Sequence, residues 1–231
     1  MMKRTIFVLV AVFAATVFIL GDRETGAADR AFAERFVTNG VANMKGETGS
    51  YNFDKAHSFI SFRIKHMGLI EVPGFFRDFT GKVNYNADDV TKSSVEFTAK
   101  MTSVDTGVVR RDDHLRTDDF FDVKKYPEMT FKSTKVEKMG DGWKVTGDLT
   151  MKDVTKQVEI PFNITGFIAG GEQSGPRMGI TGETTINRRD FNVNYGGNVP
   201  GTDIPSLADD VRVVLQIEAI KPKEEAKPAA Q

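Results

Sequence analysis

Between residues 58 and 220, apolar and polar side chains alternate with a period of two along most of the chain, the spacing that puts successive side chains on opposite faces of a β-strand. In Ser58–His66, Ile60, Phe62, Ile64 and His66 share one face, and Ser61, Arg63 and Lys65 share the other. The alternation continues through Phe75, Arg77, Phe79, Gly81, Val83 and Tyr85, and then through Val95, Phe97, Ala99 and Met101. It returns in Trp143, Val145, Gly147, Leu149 and Met151, in Val158, Ile160, Phe162 and Ile164, and in Met178, Ile180, Gly182, Thr184 and Ile186. Val211, Val213, Leu215 and Ile217 complete the series. With Met129 to Val136 added, the pattern predicts about eight strands. Turn residues divide them at Asn86–Asp89, Gly140–Gly142, Lys152–Asp153 and Gly170–Gly171.

Many strands joined by short turns point to an all-β antiparallel meander closed as an eight-stranded barrel, with a sandwich as the alternative. Closure is preferred because the final run, Val211–Ile220, is long and aliphatic, and an exposed edge of that kind invites aggregation unless the first strand covers it. Val108–Asp122 (VVRRDDHLRTDDFFD) breaks the alternation and is dense in charge. It predicts a short helical segment near residues 108–122, in one or two pieces, with Asp118 as the N-cap of the second, lying across one mouth of the barrel.

The ends of the chain read differently. Lys3 and Arg4 precede an apolar run from Thr5 to Leu20, so residues 1–33 are expected to be a signal peptide. Small-residue cleavage sites end at Ala28 and at Ala33, and an uncleaved N-terminal membrane anchor is the alternative. Residues 34–50 are Gly-rich and weakly patterned, a flexible spacer, followed by a domain at 51–220. Residues 221–231 (KPKEEAKPAAQ) form a charged, Pro-containing tail expected to be disordered.

The chemistry is sparse. The 231 residues carry 31 basic and 32 acidic side chains, a balance that removes the electrostatic footprint of a nucleic-acid partner. The absence of cysteine excludes disulfides, thiolate nucleophiles and Cys-ligated zinc. Gly170-Gly171 and Gly196-Gly197 lack the strand-to-helix setting of a phosphate loop. Arg111, Asp112 and His114 place a carboxylate beside an imidazole, the raw material of general base catalysis, but no nucleophile motif accompanies them. They read as a polar cluster at the barrel mouth, with an Arg111–Asp112 bridge pinning the helical segment. Neither a catalytic nor a metal site is assigned, the three histidines having no ligand spacing.

His66 carries an imidazole on an otherwise apolar face and needs partners for its ring nitrogens. Either a lipid head group supplies them, or a backbone carbonyl or the Arg111/Asp112 pair does. An eight-stranded barrel is just wide enough to be filled by side chains or to hold one slim ligand, and the 18 phenylalanines suit either state.

Separated blocks decide between these readings by resemblance. They are Ser61–His66, Val72–Gly81, Ser103–Thr106, Arg111–Arg116, Asp119–Asp122, Lys125–Pro127, Gly147–Met151 and Asp209–Val211. In order and in register, they resemble the YceI-like family. The resemblance implies a lipocalin-like barrel, exported to the periplasm, whose cavity holds a polyisoprenoid, an isoprenoid quinone or a fatty-acyl amphiphile. It implies a carrier or store rather than an enzyme, and no cofactor beyond the bound lipid. On this reading the cavity face is Ile60, Phe62, Ile64, His66, Phe97, Phe131 and Phe162. Transient contact with a membrane surface for lipid exchange, and a homodimer, are further expectations. The alternatives are an enzyme or redox accessory acting on the same lipid, and a filled-barrel structural protein. The chain departs from the family at Asn192, where family members often place Gly after an Arg-Asp-Phe triplet, and in the loop Asn194–Leu207.

Overall fold

A computed structural model describes residues 45–223. The expected signal peptide, residues 34–44 of the expected spacer and residues 224–231 of the expected tail lie outside the described residues. The strands are β1 Gly49–Phe53, β2 Phe59–His66, β3 Ile70–Phe76, β4 Phe79–Tyr85, β5 Ser94–Lys100, β6 Val104–Asp105, β7 Glu128–Met139, β8 Gly142–Met151, β9 Val154–Ile168, β10 Arg177–Asn187 and β11 Leu207–Ile220. Among the described residues one α-helix, α1 Val109–Leu115, lies between β6 and β7.

The eleven segments form one antiparallel sheet in the order β1-β4-β5-β7-β8-β9-β10-β11-β2-β3-β6, closed by pairing of β1 with β11. Six of them are halves of three bent strands. β1 and β2 both run along β11, β4 and β3 pair with β1 and β2, and β5 and β6 pair with β4 and β3. Counted this way, the barrel has eight strands. At the first bend, Ser58 replaces the interrupted ladder: its hydroxyl donates to the Glu218 carbonyl and accepts from the Glu218 N–H, both at 3.0 Å.

The second bend changes which side chains point inward. The alternation joins Phe75 and Arg77 to the face of Phe79, but Arg77 and Asp78 form the break between β3 and β4, and the faces exchange there. Val72, Gly74 and Phe76 point inward with Phe79, Gly81, Val83 and Tyr85. Phe75 lies outside, edge-on to Phe59 and under the Arg77 guanidinium.

Three further expectations need correction. The ladder begins two residues inside the expected spacer, where Gly49 and Ser50 pair with Tyr85 and Asn84; Tyr51 beside them is fully buried, and its hydroxyl donates to the Glu47 carbonyl at 2.8 Å. Lys221, placed in the tail, is held by its N–H to the Pro176 carbonyl (2.8 Å) and by its ammonium to Glu47 (3.1 Å). Asp118 caps no second helix: after Leu115 the chain doubles back through turns, with Phe121 N–H donating to the Leu115 carbonyl and Asp122 at φ 47°. The reversal buries Phe120 and Phe121 in the barrel mouth.

Antiparallel order sorts the connections into two ends. One end holds the β2–β3 turn, α1 with its return, the β8–β9 turn and the β10–β11 loop. The other holds the β4–β5, β7–β8 and β9–β10 connections, together with residues 45–48 and 221–223.

Candidate ligand-binding cavity

Inward positions of a small barrel either interdigitate or leave a cavity. Here they leave two chambers. The larger, about 590 Å³, opens at the α1 end, and a smaller one of about 80 Å³ lies toward the other end. The larger falls within the roughly 300–1,000 Å³ typical of ligand sites. Ile64, Phe97, Phe162, Ile180 and Val213 are only half-buried although they face the interior, since their surface is exposed to the cavity rather than to a packed core.

Six of the seven expected cavity residues, Ile60, Phe62, Ile64, His66, Phe97 and Phe131, line the larger chamber. Phe162 lines the smaller one, and Ile60, Phe97 and Phe131 line both. Inward glycines make space for the rings. A Cβ on Gly74 would lie 2.2 Å from Phe62 Cζ, and one on Gly147 would lie 2.4 Å from Phe131 Cζ.

Polar side chains gather at the open end: His66, Thr106, Arg111, His114, Arg188, Tyr195 and Ser206. Arg111 and Asp112 do not form the expected bridge, because adjacent residues on a helix point in different directions. Both bind Thr106 instead. Asp112, buried, accepts from the Thr106 N–H (2.9 Å) and hydroxyl (2.5 Å), while Arg111 donates to that hydroxyl (2.6 Å) and to the Thr106 carbonyl (2.8 Å). Thr106 thus ties α1 to the end of β6. Among the described residues no hydrogen bond holds the His66 ring, so neither expected protein partner reaches it, and the imidazole faces the chamber. His114 Nε2 lies 2.7 Å from Asp119, and its ring meets Phe120 and Tyr195 edge-on.

Arg188 escaped the sequence reading. It is buried beside the chamber, donating to the Ala208 carbonyl (2.9 Å), the Val193 carbonyl (2.6 Å) and Asp209 (3.1 Å). Burial pushes its guanidinium pKa down, the neighbouring Arg189 adds to this, and Asp209 opposes it. The signal was present in the sequence, since Arg188 is the next inward position after Thr184 and Ile186. Asn192 stands at φ 58°, ψ 27°, the left-handed conformation that Gly adopts freely and Asn tolerates best among other residues. Its amide donates to Asp153 (3.1 Å) and its carbonyl accepts from Lys152 (2.9 Å), joining the β10–β11 loop to the β8–β9 turn.

Away from the cavity, Asp54, His57 and Glu218 converge at the first bend. Arg177 already bonds both carboxylates there.

Comparison with known proteins agrees with this architecture. A UPF0312 protein of Pectobacterium atrosepticum is 38% identical over 176 residues, covering 75% of this chain and 87% of the relative. The YCEI protein of Campylobacter jejuni superposes with a TM-score of 0.59 at 32% identity, covering 78% of this chain and all of that one. A structure described as a polyisoprenoid binding domain from Saccharophagus degradans superposes with a TM-score of 0.57 over 76% of this chain and all of that one; at 15% identity it speaks to the fold alone. The family model of the YceI-like domain matches residues 51–219, nearly the whole closed barrel, and the chain belongs to the YceI-like family.

Proposed function

We propose that the protein holds one long apolar lipid, with a small polar head, inside the barrel as a carrier or store and without turnover. The observation that carries this reading is an interior chamber of about 590 Å³ with apolar walls, whose polar side chains stand at its open end. An apolar chain inside would gain roughly 25 cal/mol for each Å² of apolar surface removed from water. Arg111, His66 and Ser206 would meet its head group. The resemblance to the YceI-like family supports an isoprenoid chain, and the neighbour described as polyisoprenoid-binding shares the fold. The filled-barrel alternative conflicts with the open interior. The catalytic alternative finds little support in an open end where the Thr106 hydroxyl is engaged by Asp112 and Arg111.

The site of exchange would be a membrane surface. Leu69, Val109 and Ile70 stand 78%, 76% and 63% exposed on the elements around the open end, an apolar rim where a lipid would enter. The basic start and apolar run of residues 3–20 support an exported, periplasmic location.

Native mass spectrometry of the protein purified from a periplasmic fraction, followed by extraction and lipid analysis, tests the reading. One polyprenyl or fatty-acyl species per barrel is expected. A clean apo mass, unchanged after incubation with isoprenoid quinones and polyprenols, would overturn it.

A further inference from the structure

The two chambers abut at one layer of side chains, Ile60, Phe97, Phe131, Ile160 and Leu215, each of which lines both. Phe97 and Phe131 are direct partners across the β5–β7 ladder, their rings stacked 5.7 Å apart. They are not held equally. Phe131 is buried, and its ring edge occupies the space over Gly147. Phe97 is half-buried and borders open volume on both sides, so it can change rotamer without displacing a packed neighbour there. Beyond the layer, the walls of the smaller chamber carry no charged side chain.

We propose that the smaller chamber is a separate subsite for the far end of a ligand chain, gated by Phe97, and that it sets the longest chain the barrel accepts. This rests on the lipid-holding reading above. At about 80 Å³ the subsite has room for roughly three to eight carbon-sized groups, taking about 10–30 Å³ for each water-sized group. One branched isoprene unit, or a short run of methylenes, is the class of group that fits. A chain ending in the larger chamber leaves Phe97 stacked on Phe131. A chain one unit longer turns Phe97 aside and buries its last carbons against Val95, Phe162 and Ile180.

The test uses a series of polyprenols differing by one isoprene unit, offered in detergent micelles to the delipidated protein, with bound species read by native mass spectrometry. The parent protein retains chains up to a cutoff length. Phe97→Ala moves the cutoff up by one unit, with retention of the first rejected length rising about tenfold. Ile180→Phe adds bulk to a wall that lines the smaller chamber and not the larger, and moves the cutoff down. If both variants bind shorter polyprenols and keep the parent's cutoff, the subsite is refuted while the lipid reading stands. If the parent binds no polyprenol of any length, the lipid reading falls and takes the subsite with it. Should Phe97→Ala fail to fold, the downward shift in Ile180→Phe decides the matter alone.

Discussion

Arg188→Met replaces a buried fork of donors with an apolar side chain of similar length. Three acceptors lose their partner, and they lose unequal amounts. The carbonyl of Val193 belongs to a buried residue, and an unsatisfied buried carbonyl costs about 1–3 kcal/mol. The Ala208 carbonyl belongs to a half-buried residue and loses less. Asp209 is partly exposed and keeps Arg189 at 2.6 Å, so its share is small. Relief from desolvating the guanidinium offsets part of the sum. The net expectation is a loss of about 2–3 kcal/mol, equivalent to roughly 5–10 °C in Tm for a domain of this size. Urea unfolding followed by the single tryptophan, Trp143, measures it, and hydrogen exchange should quicken across residues 193–207. Arg188→Lys keeps the charge without the fork and should recover little of the loss. A Met variant within about 0.5 kcal/mol of the parent, at unchanged m-value, would refute the assignment of Arg188 as the staple of the β10–β11 loop.

Other perturbations reach other parts of the barrel. Asp112→Ala strips the Thr106 N–H and hydroxyl of their acceptor; a loss of about 2–3 kcal/mol is expected, with faster exchange of α1 amides, and unchanged exchange there would count against the tie. Gly74→Val drives the Phe62 ring into the larger chamber, so lipid retention should fall about tenfold for a stability cost of about 1–3 kcal/mol; full retention would show that the wall yields elsewhere. The Asp54–His57 hydrogen bond lowers the carboxyl below its usual 3.8 and raises the imidazole above its usual 6.5. The contribution of the pair is therefore complete between these two values, is lost as pH rises through the raised His57 pKa, and is lost as pH falls through the lowered Asp54 pKa. A parent-minus-His57→Ala difference that stays the same from about pH 5 to about pH 9 would contradict this.

Most of the barrel was legible because an inside and an outside force a period of two, and that constraint survives at every half-buried strand. The same constraint placed Ile60, Phe62, Ile64 and His66 on the cavity wall. It failed where the chain bends. Phe75 and Arg77 kept the rhythm through a break that exchanges the faces, and nothing local marks a bend whose geometry is set by a strand distant in sequence, β6 against β3. β1 was missed because five residues, GSYNF, are too short to show a period, and Tyr51 is buried by β4 and β11 rather than by its neighbours. The glycines at 81, 147 and 182 fell on the inward face of the alternation, but what they do there was not legible. Gly81 and Gly147 are the spaces over which Phe53 and Phe131 lie. The mouth was the least legible part, since the Thr106 hub and the Arg188 staple depend on loop paths that carry no periodicity.

The pairing of β1 with β11 also governs when the molecule can fold. Asn52 waits for Ile220, and Ile64 for Val211, so the longest contacts in the barrel join its first and last strands. A chain emerging during synthesis would carry seven strands' worth of inward apolar side chains with no closing partner until residues 207–220 appear. Contacts of such long sequence separation impose slow, late closure. The chain is thus kept open, its inward apolar face unclosed, until residues 207–220 are there to pair with the first strand.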